Sequence, residues 1–265
     1  MLDRYDREIS YLRISVTEHC NLLCSYCVPA GCVLPRSSEE RLSAATIIRI
    51  VQEAGQIGIR KVRLTGGEPL VRNDIVEIVA GIKACDHVEH LAMTTNAALL
   101  PRYAAALAQA GLDGVNISLD SLDGRKYAQL TGNGRLEQAM RGIEAARTHG
   151  FAIKINMVVL NDTSEDEIRV MQQFCDQRGM TLQLINHYEL TTEKLNQYRF
   201  DRPPNCLECN RIRLLADGNL KPCLHSNTEI PVDMDNIRES LEQTVLAKPL
   251  YGTVCTNRPM VQIGG

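Results

Sequence analysis

A chain of 265 residues can bury a full core, and 44% hydrophobic with 23% charged residues are ordinary proportions for a folded soluble protein. The net charge of -3 gives no global field for nucleic acid or an anionic membrane, so any phosphate ligand must be met by local cations. The first residues, MLDRYDREISYLRISV, scatter their charges and hold no apolar run long enough for a signal peptide or a membrane span. Cytoplasmic residence is therefore expected, with neither nucleic acid nor membrane as a partner. The ten cysteines would then be reduced, and six of them fall into two short-spaced sets that favour metal or cluster ligation over disulfides.

In chain order, LRISVT (12–17) is the first candidate strand, and TEHCNLLCSYCVP follows it. Cys20, Cys24 and Cys27 can occupy three corners of an iron-sulfur cube and leave the fourth iron without a protein ligand. A zinc site would want four ligands, and His19, the remaining candidate, adjoins Cys20 too closely to chelate the same ion with ease. The segment SAATIIRIVQEAGQIG has the three- and four-residue apolar steps of a helix, and KVRLTG (61–66) is a second strand ending in Gly66-Gly67-Glu68-Pro69. HLAMTTN (90–96), GVNISLD (114–120), AIKINMVV (152–159) and TLQLINHY (181–188) continue the series. Between them LPRYAAALAQAG and LEQAMRGIEAARTHG read as helices closed by Gly.

Six such βα units make an α/β fold, a partial (β/α)6 TIM-like barrel with active groups at the C-terminal ends of its strands. After Tyr188 the alternation stops. Residues 189–265 are expected to form a smaller C-terminal iron-sulfur domain beside the 1–188 barrel, with too little apolar sequence to be stable without a cluster or metal. Cys206, Cys209 and Cys223 could hold zinc or a second cluster. Cys255 could be a fourth ligand, which would close that cluster to substrate, or a free buried thiol like Cys85 and Cys175; Cys32 has no assigned role.

The CxxxCxxC set after strand one, GGEP after strand two and Ser118 on strand four resemble the radical S-adenosylmethionine superfamily. The resemblance implies a [4Fe-4S] cluster on Cys20, Cys24 and Cys27. It implies S-adenosylmethionine met by Tyr26, Gly66, Gly67, Glu68, Pro69, Ser118 and Tyr188, the last standing where the family has a methionine. The chemistry implied is reductive cleavage to methionine and a 5'-deoxyadenosyl radical.

LRISVTEHCN, KVRLTGGEPLVR, VNISLDSLD, IKINMVVL, CLECNRIRLLADGNLKPCL and the terminal Gly264-Gly265 extend the resemblance to the GTP 3',8-cyclase family of molybdenum cofactor biosynthesis. It implies a second [4Fe-4S] cluster on Cys206, Cys209 and Cys223. It also implies GTP contacts from Arg13, Arg63, Thr94, Lys154, Arg211, Arg213, Gly264 and Gly265, with Arg211, Arg213 and Lys154 as the catalytic set. Arginine suits a triphosphate by its planar fork. Lys154, flanked by apolar residues, should point into the lumen, where an uncompensated charge is costly. This chain reads TTNA, with Ala97, where the family has TTNG, and its connector LTTEKLNQYRFDRPPN is shorter than the family's.

The expected partners are a small-molecule substrate and a reductant such as flavodoxin or ferredoxin, and a homodimer is one assembly the family allows. A two-cluster radical enzyme modifying a peptide or another small molecule is the alternative. A third class, an iron-sulfur electron carrier or zinc-binding interaction module, predicts no cofactor cleavage and leaves GGEP and Ser118 without a purpose.

Overall fold

The computed structural model describes residues 1–265 apart from 29–41, 133, 196, 201 and 265. Cys32 and Gly265 therefore lie outside the described residues. Six strands, β1 (Tyr11–Ser15), β2 (Lys61–Thr65), β3 (His90–Thr95), β4 (Gly114–Ser118), β5 (Ala152–Val159) and β6 (Thr181–Asn186), pair in parallel in that order. The helices between them are α1 (Ala44–Gln56), α2 (Ile75–Lys83), α3 (Leu100–Gln109), α4 (Gly124–Thr131), α5 (Leu136–Thr148) and α6 (Glu165–Asp176). This is the expected partial barrel. Most of its strands end earlier than the sequence suggests, since Thr17, Gly66 and Asp120 have already left the ladder for the loops above it, while β5 spans the expected 152–159.

The two faces of the strands differ sharply. Leu12 and Ile14, Val62 and Leu64, Leu91 and Met93, and Val115 and Ile117 are all wholly buried. They belong to one core with Ile47, Ile50, Ile78, Leu107 and Ile143 of the surrounding helices. The alternate positions on the same strands carry Arg13, Ser15, Arg63, Thr65, Thr94, Asn116, Ser118, Lys154 and Asn156. In a parallel barrel that alternation sends apolar side chains outward to the helices and polar ones into the lumen. Ile14 is wholly buried on the outward face, and Ile14→Ala should cost about 3 kcal/mol, a fall of roughly 5–10 °C in melting temperature measured by calorimetry.

Helix ends follow local chemistry. Ser43 caps α1 by accepting from Thr46 N, and Ser164 with Glu167 forms a capping box on α6. Gly111 and Gly150, with φ of 88° and 73°, let the chain leave α3 and α5.

The described residues between Asn186 and a short 3-10 turn at Cys206–Glu208 hold no helix or strand, and β7 (Arg211–Leu214), β8 (Asn219–Lys221), β9 (Ile230–Pro231), α7 (Ile237–Leu246) and α8 (Met260–Ile263) follow. β7 pairs in parallel with β1, setting Arg213 opposite Arg13 and Arg211 opposite Tyr11, and β8 and β9 extend the sheet antiparallel. Ile212, Leu214, Leu220, Leu241 and Val245 join the core of the barrel helices. The C-terminal residues are thus stitched to the first strand by backbone pairing as well as apolar contact. No helix among the described residues is long and apolar enough to cross a membrane.

Candidate active site

Two cavities of similar size open in the lumen. The first, of about 180 Å³, lies at the C-terminal ends of the strands and is lined by Cys20, Cys24 and Cys27 with Tyr26, Gly66, Gly67, Glu68, Thr94, Ser118 and Tyr188. The cysteine loop is tied down on several sides. Leu23 N and Ser25 N donate to Thr131 O and Leu130 O at 3.0 Å, and Cys27 N donates to Cys24 O at 3.0 Å. Tyr26 donates its hydroxyl to Asp120 at 2.6 Å, while the other oxygen of Asp120 accepts from Val158 N at 2.8 Å. The Tyr26 ring is thereby fixed to the ends of β4 and β5.

Burial, and beyond it the negative charge of neighbouring groups, pushes the Cys20 thiol up to about 11 and those of Cys24 and Cys27 up to about 12. Cys20, Cys24 and Cys27 are half-buried along one cavity wall, and as thiolates they would need cationic charge beside them, which the irons of a cluster would supply. The cysteines therefore fit that group.

The glycine pair shapes the wall beside them. Gly67 N donates to Thr17 O at 2.7 Å and Glu68 N to His19 O at 2.8 Å. A Cβ at Gly67 would stand 2.1 Å from His19 O, and one at Gly66, where φ is 143°, 2.4 Å from Thr17 O. Glu68 is fully buried and accepts from Leu70 N, Thr95 Oγ1 and Asn96 N at 3.1, 2.7 and 2.7 Å. Burial raises its carboxyl to about 7 despite these donors, so Glu68 braces the loop from beneath. Gly67→Ala should push the His19 carbonyl and the adjoining Cys20 aside and lower turnover by about a hundredfold, since a misplacement of about 1 Å suffices for that. Rates of 5'-deoxyadenosine release, compared at unchanged circular dichroism, check it.

The second cavity, of about 190 Å³, lies deeper in the lumen and reaches the other cysteine set. Nine Lys and Arg side chains line it, and no Asp or Glu among the described residues does. Arg13, Arg63, Lys154, Arg211 and Arg213 are all there, as the sequence suggests; Lys61, Lys194, Arg202 and Lys248 were not foreseen. Arg63 and Arg211 lie 5.8 and 5.4 Å from the Tyr11 ring. Burial, then repulsion from Arg213, lowers the affinity of Arg13 for its proton; burial then Arg211 does the same to Arg213, and burial then Arg63 to Lys154. Arg63 Nε, Arg211 Nε and the Tyr11 hydroxyl are buried without a hydrogen-bond partner among the described residues. Such a concentration of positive charge suits an anion seated in it.

Cys206, Cys209 and Cys223 share this cavity. Lys194 Nζ donates to Cys206 Sγ at 2.9 Å, and Arg7 holds Cys206 O at 2.7 Å while it also binds Pro249 O, Leu250 O and Asp3. Burial alone would raise Cys209, but Lys248 and Arg211 outweigh it and bring the thiol to about 7. Cys255 is not part of this wall: it is wholly buried in a small apolar cluster with Leu190, Leu215 and Ile263, and its thiol donates to Asn257 Oδ1 at 3.2 Å. His225 lines the cavity with both ring nitrogens unpartnered among the described residues. Burial, then Lys194 and Arg213, lowers its imidazole to about 4.

Thr94, expected against the substrate, lines the first cavity, its buried Oγ1 without a partner among the described residues. Gly264 lines neither cavity but touches a residue of each: Arg213 Nη1 donates to Gly264 O at 2.5 Å, and a Cβ at Gly264, where φ is 70°, would stand 2.2 Å from Thr65 Oγ1. Arg258, paired with Glu229 and Asp217 at 2.7 and 2.5 Å, anchors the turn before α8, and α8 brings Met260 into the first cavity. Asn156, Ile185 and Tyr188 line both cavities, so the two spaces meet across these three side chains.

The model of the radical SAM superfamily matches residues 14–175. The GTP 3',8-cyclase of Alkaliphilus oremlandii (strain OhILAs) is 38% identical, with the whole of both chains covered, and that of Petrotoga mobilis (strain DSM 10674 / SJ95) is 34% identical with the same coverage. The first of these alignments runs to 320 positions, so the relative carries residues that the 265 of this chain do not match. Molybdenum cofactor biosynthesis protein 1 of Drosophila melanogaster is 36% identical over 86% of this chain and 48% of its own. Among solved structures, Streptococcus suis SuiB bound to S-adenosylmethionine superposes with a TM-score of 0.71 at 19% identity, covering 94% of this chain and 66% of that one.

Proposed function

The chain belongs to the radical S-adenosylmethionine superfamily and, within it, to the family of GTP 3',8-cyclases, and from that premise we propose how its two cavities divide the work. It is an enzyme that uses S-adenosylmethionine and [4Fe-4S] chemistry on a small molecule, and its reaction is the cyclisation of GTP through removal of the ribose 3' hydrogen. The observation that carries the assignment of roles is the junction itself: a cysteine-lined cavity and a cation-lined one share Asn156, Ile185 and Tyr188.

In this reading Cys20, Cys24 and Cys27 hold the first cluster, and Tyr26, Gly66, Gly67, Glu68, Pro69, Ser118 and Tyr188 position the cofactor. When bound, cluster and cofactor supply the 5'-deoxyadenosyl radical that takes the substrate hydrogen. Arg13, Arg63, Arg211 and Arg213 grip the triphosphate by charge-assisted bonds, and Lys154 neutralises it from β5. Gly264, held by Arg213, closes the pocket on the side of Thr65. Tyr188 and Ile185 keep water from the place where hydrogen is transferred.

Cys206, Cys209 and Cys223 would hold a second [4Fe-4S] cluster, with no fourth protein thiolate supplied to it. The sealed position of Cys255 and its bond to Asn257 support this. In this reading residues 1–188 carry the first cysteine set and the barrel side of the cation-lined pocket, and residues 189–265 carry the second cysteine set and the rest of that wall. A cytoplasmic setting and a low-potential donor such as flavodoxin or ferredoxin suit that chemistry, and a homodimer is compatible with it.

Anaerobic incubation of the reconstituted protein with GTP, S-adenosylmethionine and dithionite should yield 5'-deoxyadenosine and the cyclised nucleotide in equal amounts. Release of 5'-deoxyadenosine with GTP untouched would overturn the assignment.

A further inference from the structure

A ring nitrogen inside a protein is seldom left bare, because each hydrogen bond unmade there costs about 1–3 kcal/mol. His225 leaves two bare. The residue is 2% exposed, neither nitrogen has a hydrogen-bond partner among the described residues, and its side chain lines the second cavity. It is also held in place. Its ring centroid lies 5.2 Å from that of Tyr188, its carbonyl accepts from Thr253 N at 2.8 Å, and a Cβ at Gly252 would meet the Cβ of His225 at 2.8 Å.

The layout of the cavity decides which part of a nucleotide meets this ring. Arg63 and Arg211 stand around Tyr11 at the deep end, where phosphates find their cations. At the other end the carbon that loses its hydrogen must stand at the junction of Asn156, Ile185 and Tyr188. With its triphosphate at the deep end and its ribose at the junction, a nucleotide carries its base onto the wall beside Tyr188, where the His225 ring packs against Tyr188. Arg13, Arg63, Lys154, Arg211 and Arg213 already stand in this cavity for the anion, so a further phosphate contact adds little. The edge of a nucleobase, which offers a donor next to an acceptor, is what an imidazole can satisfy.

We propose that His225 contacts the heterocyclic base of the substrate by hydrogen bonding and sets the preference for that base. The inference rests on the nucleotide reading above and adds the residue that recognises the base.

The test is equilibrium binding of GTP and of inorganic tripolyphosphate to the anaerobic holoenzyme, with wild type, His225→Phe and His225→Gln compared at equal iron content. The Phe variant should bind GTP about tenfold more weakly and tripolyphosphate as before. The Gln variant, which keeps a donor and an acceptor, should recover most of the loss. Unchanged GTP affinity in the Phe variant, an equal loss for both ligands, or a Gln variant no better than Phe overturns the inference. So does a histidine nitrogen coupling in the electron paramagnetic spectrum of the second cluster without GTP, because His225 would then be an iron ligand. A wild type that binds GTP no better than tripolyphosphate overturns the nucleotide reading itself, which separates the two failures.

Discussion

Cys24→Ala should abolish cofactor cleavage while leaving the fold and the second iron site in place. Cys24 is the middle thiol of the first set and turns the loop on itself through its carbonyl, which accepts from both Cys27 N and Val28 N at 3.0 Å. Two thiolates cannot hold a cube that must also present an open iron. Loss of a partner that merely orients a metal ligand already costs about 10–100-fold, so loss of a ligand should exceed about a thousandfold in 5'-deoxyadenosine formation. Iron per chain should fall from about eight to about four, the content of one remaining cube. Colorimetric iron assay with chromatography of 5'-deoxyadenosine reads both numbers. A fall to zero iron would mean that the second set does not load independently, and full activity would remove the first set from the mechanism.

The second large effect is expected at Arg213. It is buried, stands opposite Arg13 in the β1–β7 register, and donates to Gly264 O. Arg213→Ala removes a charged fork from the triphosphate and at the same moment frees the end of the chain. A charge-assisted hydrogen bond in such a setting contributes about 1.5–3 kcal/mol, so GTP affinity should fall on the order of 100-fold. Arg213→Lys restores the charge without the fork and should recover only part of it. Because buried pairs are weakly screened, the ratio between wild type and variant should hold as salt is raised. Isothermal titration with GTP at two ionic strengths measures this, and an unchanged affinity would remove Arg213 from the phosphate site.

Much of this arrangement is legible from local pattern. Alternation of apolar and basic residues in LRISV and KVRLT marks strands with one dry and one charged face, and the same alternation places Arg13 and Arg63 side by side. Cysteine spacing and the need of Gly66 and Gly67 for close backbone approach are equally local. Other features depend on pairings between distant segments. RIRL reads as part of a cysteine loop until β1 is seen to offer it an edge, and only that pairing brings Arg211 and Arg213 to Arg13. Lys194 and Lys248 sit in unremarkable stretches, and nothing nearby in the sequence foretells that one meets Cys206 and the other shares a cavity with Cys209. Thr94 shows the limit of reading by face alone: its face is the lumen, but its height along β3 places it against the first cavity and outside the second. Cys255 was open to two readings from spacing, and the apolar shell of Leu190, Leu215 and Ile263 favours the free thiol.

The pairing of β1 with β7 also bears on how the protein is made. β1 is synthesised well before Arg211–Leu214, the segment that pairs with one of its edges. Contacts so distant in sequence are slow to form, because a long loop must close before they are rewarded. Until then the nascent barrel keeps an unpaired strand edge on which Arg13 already stands, and such edges invite pairing with other chains. Iron loading at the second cysteine set, which lies directly before β7 and directly after β8, would fasten that seam once it forms. Yield of soluble protein should therefore depend on iron supply during synthesis as well as on the finished enzyme's need for it.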